Sequence, residues 1–159
     1  LGSESVNSKI KDFLLDFKSE TYEILFITGN SSYDKYKDLK VDKCVKIIPY
    51  YNELSSLMKS TDLIISRAGA STISEILSLN LPSILVPSPY VANNHQYYNA
   101  LDLKERKLAY LLEEKDLNKN NLNKAIEYVF KNEKEIINNL KKEKKLKSST
   151  IIVEEIEKK

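Results

Sequence analysis

Apolar positions along this chain switch between two spacings. Val6, Ile10, Phe13, Leu14 and Phe17 recur at the period of a helix that buries one face. The run Tyr22-Glu23-Ile24-Leu25-Phe26-Ile27-Thr28 then reads as a strand, stopped by Gly29-Asn30. The alternation continues with a short helix over Ser32–Leu39, a strand over Lys43–Ile48, a helix over Asn52–Lys59 and a strand over Asp62–Ser66. A helix over Ser71–Leu79, a strand over Ser83–Val86, a helix over His95–Lys104 and a strand over Leu108–Leu112 follow. Helices over Asn121–Phe130, Glu133–Leu146 and Ser149–Glu157 close the pattern. Strands alternating with helices imply a parallel sheet with right-handed crossovers and helices on both faces, so the expected class is a Rossmann-like α/β fold.

Composition narrows the picture. At 159 residues and 42% hydrophobic content the chain buries one ordinary core, and 1–159 is expected to form a single domain. No run approaches the roughly 20 apolar residues of a membrane span, and no signal-peptide pattern is seen, so the chain is expected to be soluble and cytoplasmic. The single cysteine, Cys44, allows no internal disulfide, in keeping with a reducing compartment. A balance of 25 basic and 23 acidic residues leaves a net charge of +2, too small for a nucleic-acid-binding field. The lysine-rich stretch Lys131–Lys147 is interleaved with Glu133, Glu135, Glu143, Ile136, Ile137 and Leu140, and reads as a packed helix with a solvated face rather than a membrane-surface helix.

Two segments carry the candidate chemistry. Ser66-Arg67-Ala68-Gly69-Ala70-Ser71-Thr72-Ile73-Ser74-Glu75 and Asn93-Asn94-His95-Gln96-Tyr97-Tyr98-Asn99-Ala100 each follow a strand pattern and open a helix. Their polar groups therefore gather at the carboxyl edge of a parallel sheet, where ligands of open α/β folds bind. The turn Ala68-Gly69-Ala70 lets backbone approach a ligand, and the helix start at Ser71–Thr72 aims N–H groups and a positive dipole end at it, which suits a diphosphate; alternatively Gly69 only makes a tight turn. Glu75 suits a ribose diol as an acceptor-only group, or closes a capping box Thr72-x-x-Glu75 on its own helix. His95 and Asn99 share a helix face with Gln96 at its edge, and such amides and imidazole suit neutral hydroxyls; His95 also reads as a plain surface residue. With one histidine, and the one cysteine in an apolar strand pattern, a sugar fits better than a metal, and neither metal nor cofactor is expected.

Taken together these motifs resemble the MurG family, bacterial transferases that move N-acetylglucosamine from UDP to a lipid-linked muramyl-pentapeptide in peptidoglycan synthesis. The likeness is to the carboxyl-terminal, donor-binding half of such a GT-B glycosyltransferase and runs through nearly the whole chain. Leu1-Gly2-Ser3, with Asn7 four residues on, resembles the tail of the family's GGSxGAxxxN loop, and Ile48-Pro49-Tyr50-Tyr51-Asn52-Glu53-Leu54 resembles its FIDDM segment. The resemblance implies that the backbone at Tyr51 meets uracil and that Ala68, Gly69, Ala70, Ser71 and Thr72 hold the diphosphate. It further implies that Glu75 binds the ribose hydroxyls and that Gln96, with His95 and Asn99 beside it, reads the sugar. Gly2 belongs to the glycine-rich loop. The chain departs from the pattern at Ser3, where alanine is frequent, and at Asn80 and Lys107, where glycine is common; asparagine tolerates the left-handed end of a helix.

The resemblance also implies a reaction in which the acceptor's hydroxyl displaces UDP with inversion, the helix start at Ala70–Thr72 stabilising the leaving diphosphate without a metal. The general base is expected on the amino-terminal acceptor domain, so no catalytic residue is assigned here. The full enzyme would contact the cytoplasmic face of the cell membrane peripherally and take its lipid-linked acceptor through that domain. Since the chain opens on the glycine loop with no initiator methionine, it is expected to be a piece whose first, central strand is missing. Two other readings fit the same residues. One is the small catalytic subunit of a split UDP-GlcNAc transferase acting on a polyprenyl- or dolichol-linked sugar; the other is a non-catalytic nucleotide-sugar binding module.

Overall fold

The helical spacing at the amino end becomes α1 (Glu4–Asp16), and the first apolar run becomes β1 (Ile24–Ile27), in a computed structural model that describes residues 3–143. After these come α2 (Tyr33–Tyr36), β2 (Val45–Ile48), α3 (Leu54–Lys59), β3 (Ile64–Ser66) and α4 (Ala70–Leu79). Next are β4 (Ser83–Leu85), α5 (His95–Glu105), β5 (Tyr110–Leu111) and α6 (Lys119–Lys131), and residues 133–143 form a last helix, α7. Each element expected within the described residues is present. Short 3₁₀ turns at Ala92–Asn94 and Glu114–Asp116 were not anticipated. Gly2, the end of the expected Glu133–Leu146 helix and the expected Ser149–Glu157 helix lie outside the described residues.

Among the described residues all strand pairs are parallel, and they form two sheets: β1–β2 and β3–β4–β5. The chain likewise divides into two compact units. The first runs to Leu54 and takes in Lys115–Lys124; the second comprises Ser55–Glu114 and the chain from Ala125.

In the first unit, α1 buries Phe13 and Leu14, β1 buries Phe26, and the Phe26 ring meets Tyr36 edge-on at 5.7 Å. Asn7, one turn into α1, is 4% exposed and its Nδ2 donates to the carbonyl of Thr28 at 2.8 Å, tying the helix to the carboxyl end of β1. Glu4 ties the same helix to α2: its carboxylate accepts from Ser32 Oγ at 2.7 Å, Lys35 Nζ at 3.0 Å and Tyr36 Oη at 3.2 Å. The Ser32 hydrogen bond, followed by Lys35, holds the Glu4 carboxyl below its ordinary pKa, while burial and then the Glu4 charge push the Tyr36 phenol up. Gly29 takes φ 81°, the left-handed conformation in which glycine is least strained.

In the second unit β4 lies between β3 and β5, and Ser83, Ile84 and Leu85 are all fully buried, as expected of an inner parallel strand covered on both faces. α4 packs Ile73 and Ile76 inward and ends at Asn80, whose φ of 53° is the left-handed cap that its amide side chain tolerates. Lys107 occupies the corresponding position after α5 at φ 55°, with Leu108 N–H returning to Leu103 O at 2.8 Å. Both of these departures from glycine thus sit where glycine has a conformational reason to be. α7 buries Ile136 and Leu140 while Lys134, Lys141 and Lys142 face water, the packed helix with a solvated face read from the sequence. Arg106 pairs with Asp102 at 2.6 Å and with Glu143, and these hydrogen bonds raise the guanidinium pKa further.

Candidate functional site

The second unit brings the two motif segments to the carboxyl ends of adjacent strands, β3 and β4. Arg67-Ala68-Gly69 makes the turn from β3 into α4, with Ala68 fully buried and Gly69 as the residue before the helix. Gly69 has φ −72° and ψ 148°, a backbone conformation open to any residue, and a Cβ added there would meet nothing within 4 Å. The tight-turn explanation of this glycine therefore fails: neither its conformation nor crowding among the described residues demands it. What a side chain would occupy is open space over the start of α4. No side chain caps that ten-residue helix, and the first N–H groups of an α-helix have no acceptor within it.

The capping-box reading of Thr72 and Glu75 is corrected by the same geometry. The helix starts at Ala70 after Gly69, so Thr72 is its third residue and not its cap, and Glu75, its sixth, lies past the first turn. Glu75 is instead partly exposed, with Ser55 Oγ of α3 at 3.5 Å. Its carboxylate thus remains available as an acceptor beyond the first turn of α4.

The amides of α5 are held individually. Gln96 Oε1 accepts the backbone N–H of Ser88 at 3.0 Å, which leaves the NH₂ of that amide as the group to meet a ligand. Asn99 Nδ2 donates to the Ala68 carbonyl at 3.4 Å, joining α5 to the turn before α4. His95 is exposed and its Nδ1 lies 2.9 Å from the Ala92 carbonyl. A carbonyl only accepts, so Nδ1 donates in this contact. Asn93 and Asn94, just before the helix, both adopt positive φ, 54° and 50°.

Arg67 and Glu114 were not anticipated as site-forming residues. Arg67 Nη1 donates to the carbonyls of Val86 at 3.2 Å and Pro87 at 3.1 Å, and its Nη2 meets Glu114 Oε2 at 2.5 Å. The arginine was visible inside the first motif, but a partner 47 positions away, beyond β5, leaves no periodic signal. Tyr51 lies in the first unit, on the loop between β2 and α3, and is 40% exposed. Gly2 lies outside the described residues. Among the described residues no group of three histidine, cysteine or acidic side chains is placed to hold a metal, and no helix is long and apolar enough to cross a membrane.

Comparison with known proteins gives a consistent result. Residues 1–156 match the glycosyltransferase family 28 C-terminal domain. The chain is 41% identical over 155 residues to the UDP-N-acetylglucosamine–N-acetylmuramyl-(pentapeptide) pyrophosphoryl-undecaprenol N-acetylglucosamine transferase of Caldanaerobacter subterraneus, covering 94% of this chain and 42% of that protein. It is 36% identical over 138 residues to the transferase of the same name from Bacillus licheniformis, covering 84% of this chain and 37% of the relative. The chain thus spans about two fifths of the curated relatives it matches. Among solved structures, MurG of Acinetobacter baumannii superposes with a TM-score of 0.77 over 89% of this chain and 42% of its own, at 21% identity. That likeness identifies the fold as the carboxyl-terminal half of a GT-B glycosyltransferase.

Proposed function

This chain belongs to the glycosyltransferase family 28 C-terminal domains, and from that membership we propose that it binds UDP-N-acetylglucosamine as the donor half of an inverting transferase in peptidoglycan synthesis. The acceptor is a lipid-linked muramyl-pentapeptide, as the names of the curated relatives state for those proteins. The observation that carries the reading is the turn at Gly69: a glycine with no conformational or packing reason among the described residues, open space above it, and an uncapped helix start beneath. A diphosphate fills such a space with the charge that a helix amino end favours.

Around that anchor each residue takes a role suited to its chemistry. Ala68, Gly69, Ala70, Ser71 and Thr72 receive the diphosphate and stabilise the charge that grows on it as the glycosidic bond breaks, preorganised donors acting where charge develops. Glu75 accepts from the ribose diol, and backbone at Tyr51 meets uracil. The NH₂ of Gln96 donates to the sugar, with His95 and Asn99 beside it, and Gly2 takes part in donor binding. The base that deprotonates the acceptor hydroxyl belongs to the amino-terminal domain of the whole enzyme, which works at the cytoplasmic face of the membrane.

Isothermal calorimetry with UDP-N-acetylglucosamine, UDP, ADP and GDP tests the reading. The two uridine ligands should bind more tightly than ADP or GDP. Equal affinity for all the nucleotides refutes the uracil assignment; absence of binding by any of them refutes the donor site.

A further inference from the structure

The hydrogen bonds described above close into a ring. Arg67 is bonded to the Pro87 carbonyl, Pro87 is followed by Ser88, and the Ser88 N–H holds Gln96 Oε1. One turn along α5, Asn99 returns to the carbonyl of Ala68, the residue next to Arg67. Glu114 grips the guanidinium from outside the ring, and the two charged side chains are 20% and 7% exposed.

A largely buried ion pair has to overcome the desolvation of both charges, and an apolar pair of similar size is frequently as stabilising, so stability alone is a weak reason for one here. What an apolar pair cannot do is hold two carbonyls and a carboxylate in fixed directions from a single planar group. The guanidinium charge is matched by Glu114, so its service to the site is geometric. We infer that Arg67 and Glu114 are positioning residues that set the orientation of the Gln96 amide, and through it the preference for a sugar-bearing nucleotide over the bare one. The inference rests on the donor reading for its ligand, but not for its geometry.

The test uses Arg67→Lys, which keeps the charge but not the fork, and Glu114→Gln, which keeps the shape but not the charge. In the ligand-free protein, NMR should show the Gln96 side-chain amide signals displaced and exchange of the Ser88 amide accelerated in both variants. In calorimetry, affinity for UDP-N-acetylglucosamine should fall about three- to tenfold, the scale of one hydrogen bond, with UDP affected less than twofold. In a Gln96→Ala background, Glu114→Gln should change the ratio of the two affinities no further, because residues that act through one another are not additive.

Unchanged Gln96 and Ser88 signals in both variants would overturn the inference, as would parallel loss of both ligands, or a lower melting temperature with the affinity ratio intact. Failure of the wild type to bind either uridine ligand would remove the donor reading instead, and the ligand-free NMR comparison would then decide the positioning role by itself.

Discussion

Asn7 offers a sharp test of how the first unit is assembled. Its side chain is buried and gives its amide hydrogen to the fully buried Thr28 carbonyl at 2.8 Å. Asn7→Ala leaves that carbonyl without this donor, a loss of about 1–3 kcal/mol. In a chain of this length 1 kcal/mol corresponds to about 2–4 °C, so a mid-range loss of about 2 kcal/mol should lower the melting temperature by about 4–8 °C. Asn7→Asp should be worse at neutral pH, because it sets a charged acceptor against an acceptor out of water, at roughly 3–5 kcal/mol. The sign of its pH dependence follows. Burial beside a carbonyl raises the folded-state pKa of the new carboxyl above its unfolded value of about 3.9, so the penalty is absent below that pH and grows as pH rises through it. Protonated, the acid can donate to Thr28 as the amide did. Melting curves followed by circular dichroism at about pH 3.5 and pH 7 should therefore show Asn7→Asp at least as stable as Asn7→Ala in acid and less stable at neutrality. A difference between the two variants that ignores pH would refute the buried, directional role of this side chain.

Three further outcomes are expected. Glu75→Gln should weaken UDP binding by about 1–3 kcal/mol with the melting temperature nearly unchanged, since Glu75 makes no cap; a drop in melting temperature without loss of binding would refute its ribose role. Glu4, held below its ordinary pKa by Ser32 and Lys35, contributes stability present above about pH 4.3 and lost as pH falls through its folded-state value. The melting difference between wild type and Glu4→Gln should accordingly shrink on acidification, and a constant difference would sink the idea. Lys107→Gly should stabilise the chain by up to about 1 kcal/mol in chemical denaturation, because it relieves a left-handed side-chain residue and gives up only an exposed pair with Glu135; destabilisation would show that pair to be the stronger term.

The order of helices and strands was legible because each buries an apolar face with its own period, and Ile73 with Ile76 or the run Ser83–Leu85 shows the two cases cleanly. The register of each pair leaves no mark within a single strand, since strand pairing depends on partners far apart in the chain. In the candidate site, the turn at Gly69 and the helix at His95 were readable from strand-turn-helix punctuation. The capping box was misread by three residues because the helix begins at Ala70 after Gly69 without a polar cap, so the strongest local start signal, Thr72 with Glu75, fell inside it. Arg67 with Glu114, and Gln96 with Ser88 N–H, escaped because a side chain's choice of a backbone partner across a fold leaves no trace in spacing.

The left-handed residues carry a consequence at the level of the gene. The chain has only 3 glycines in 159 residues, and among the described residues the non-glycine positions at positive φ are Asn80, Asn93, Asn94 and Lys107. Asparagine and lysine codons begin with two adenines, glycine codons with two guanines. A coding sequence drifting towards adenine and thymine can therefore trade glycine for asparagine where the backbone turns left, at small conformational expense because the short amide tolerates that region. Lysine has no short amide of that kind, so at position 107 the backbone keeps the left-handed shape and bears the strain. In such a chain asparagine marks tight turns as glycine does elsewhere, and a glycine codon at position 107 is a route to a more stable protein that leaves Gly69, Glu75 and the α5 amides untouched.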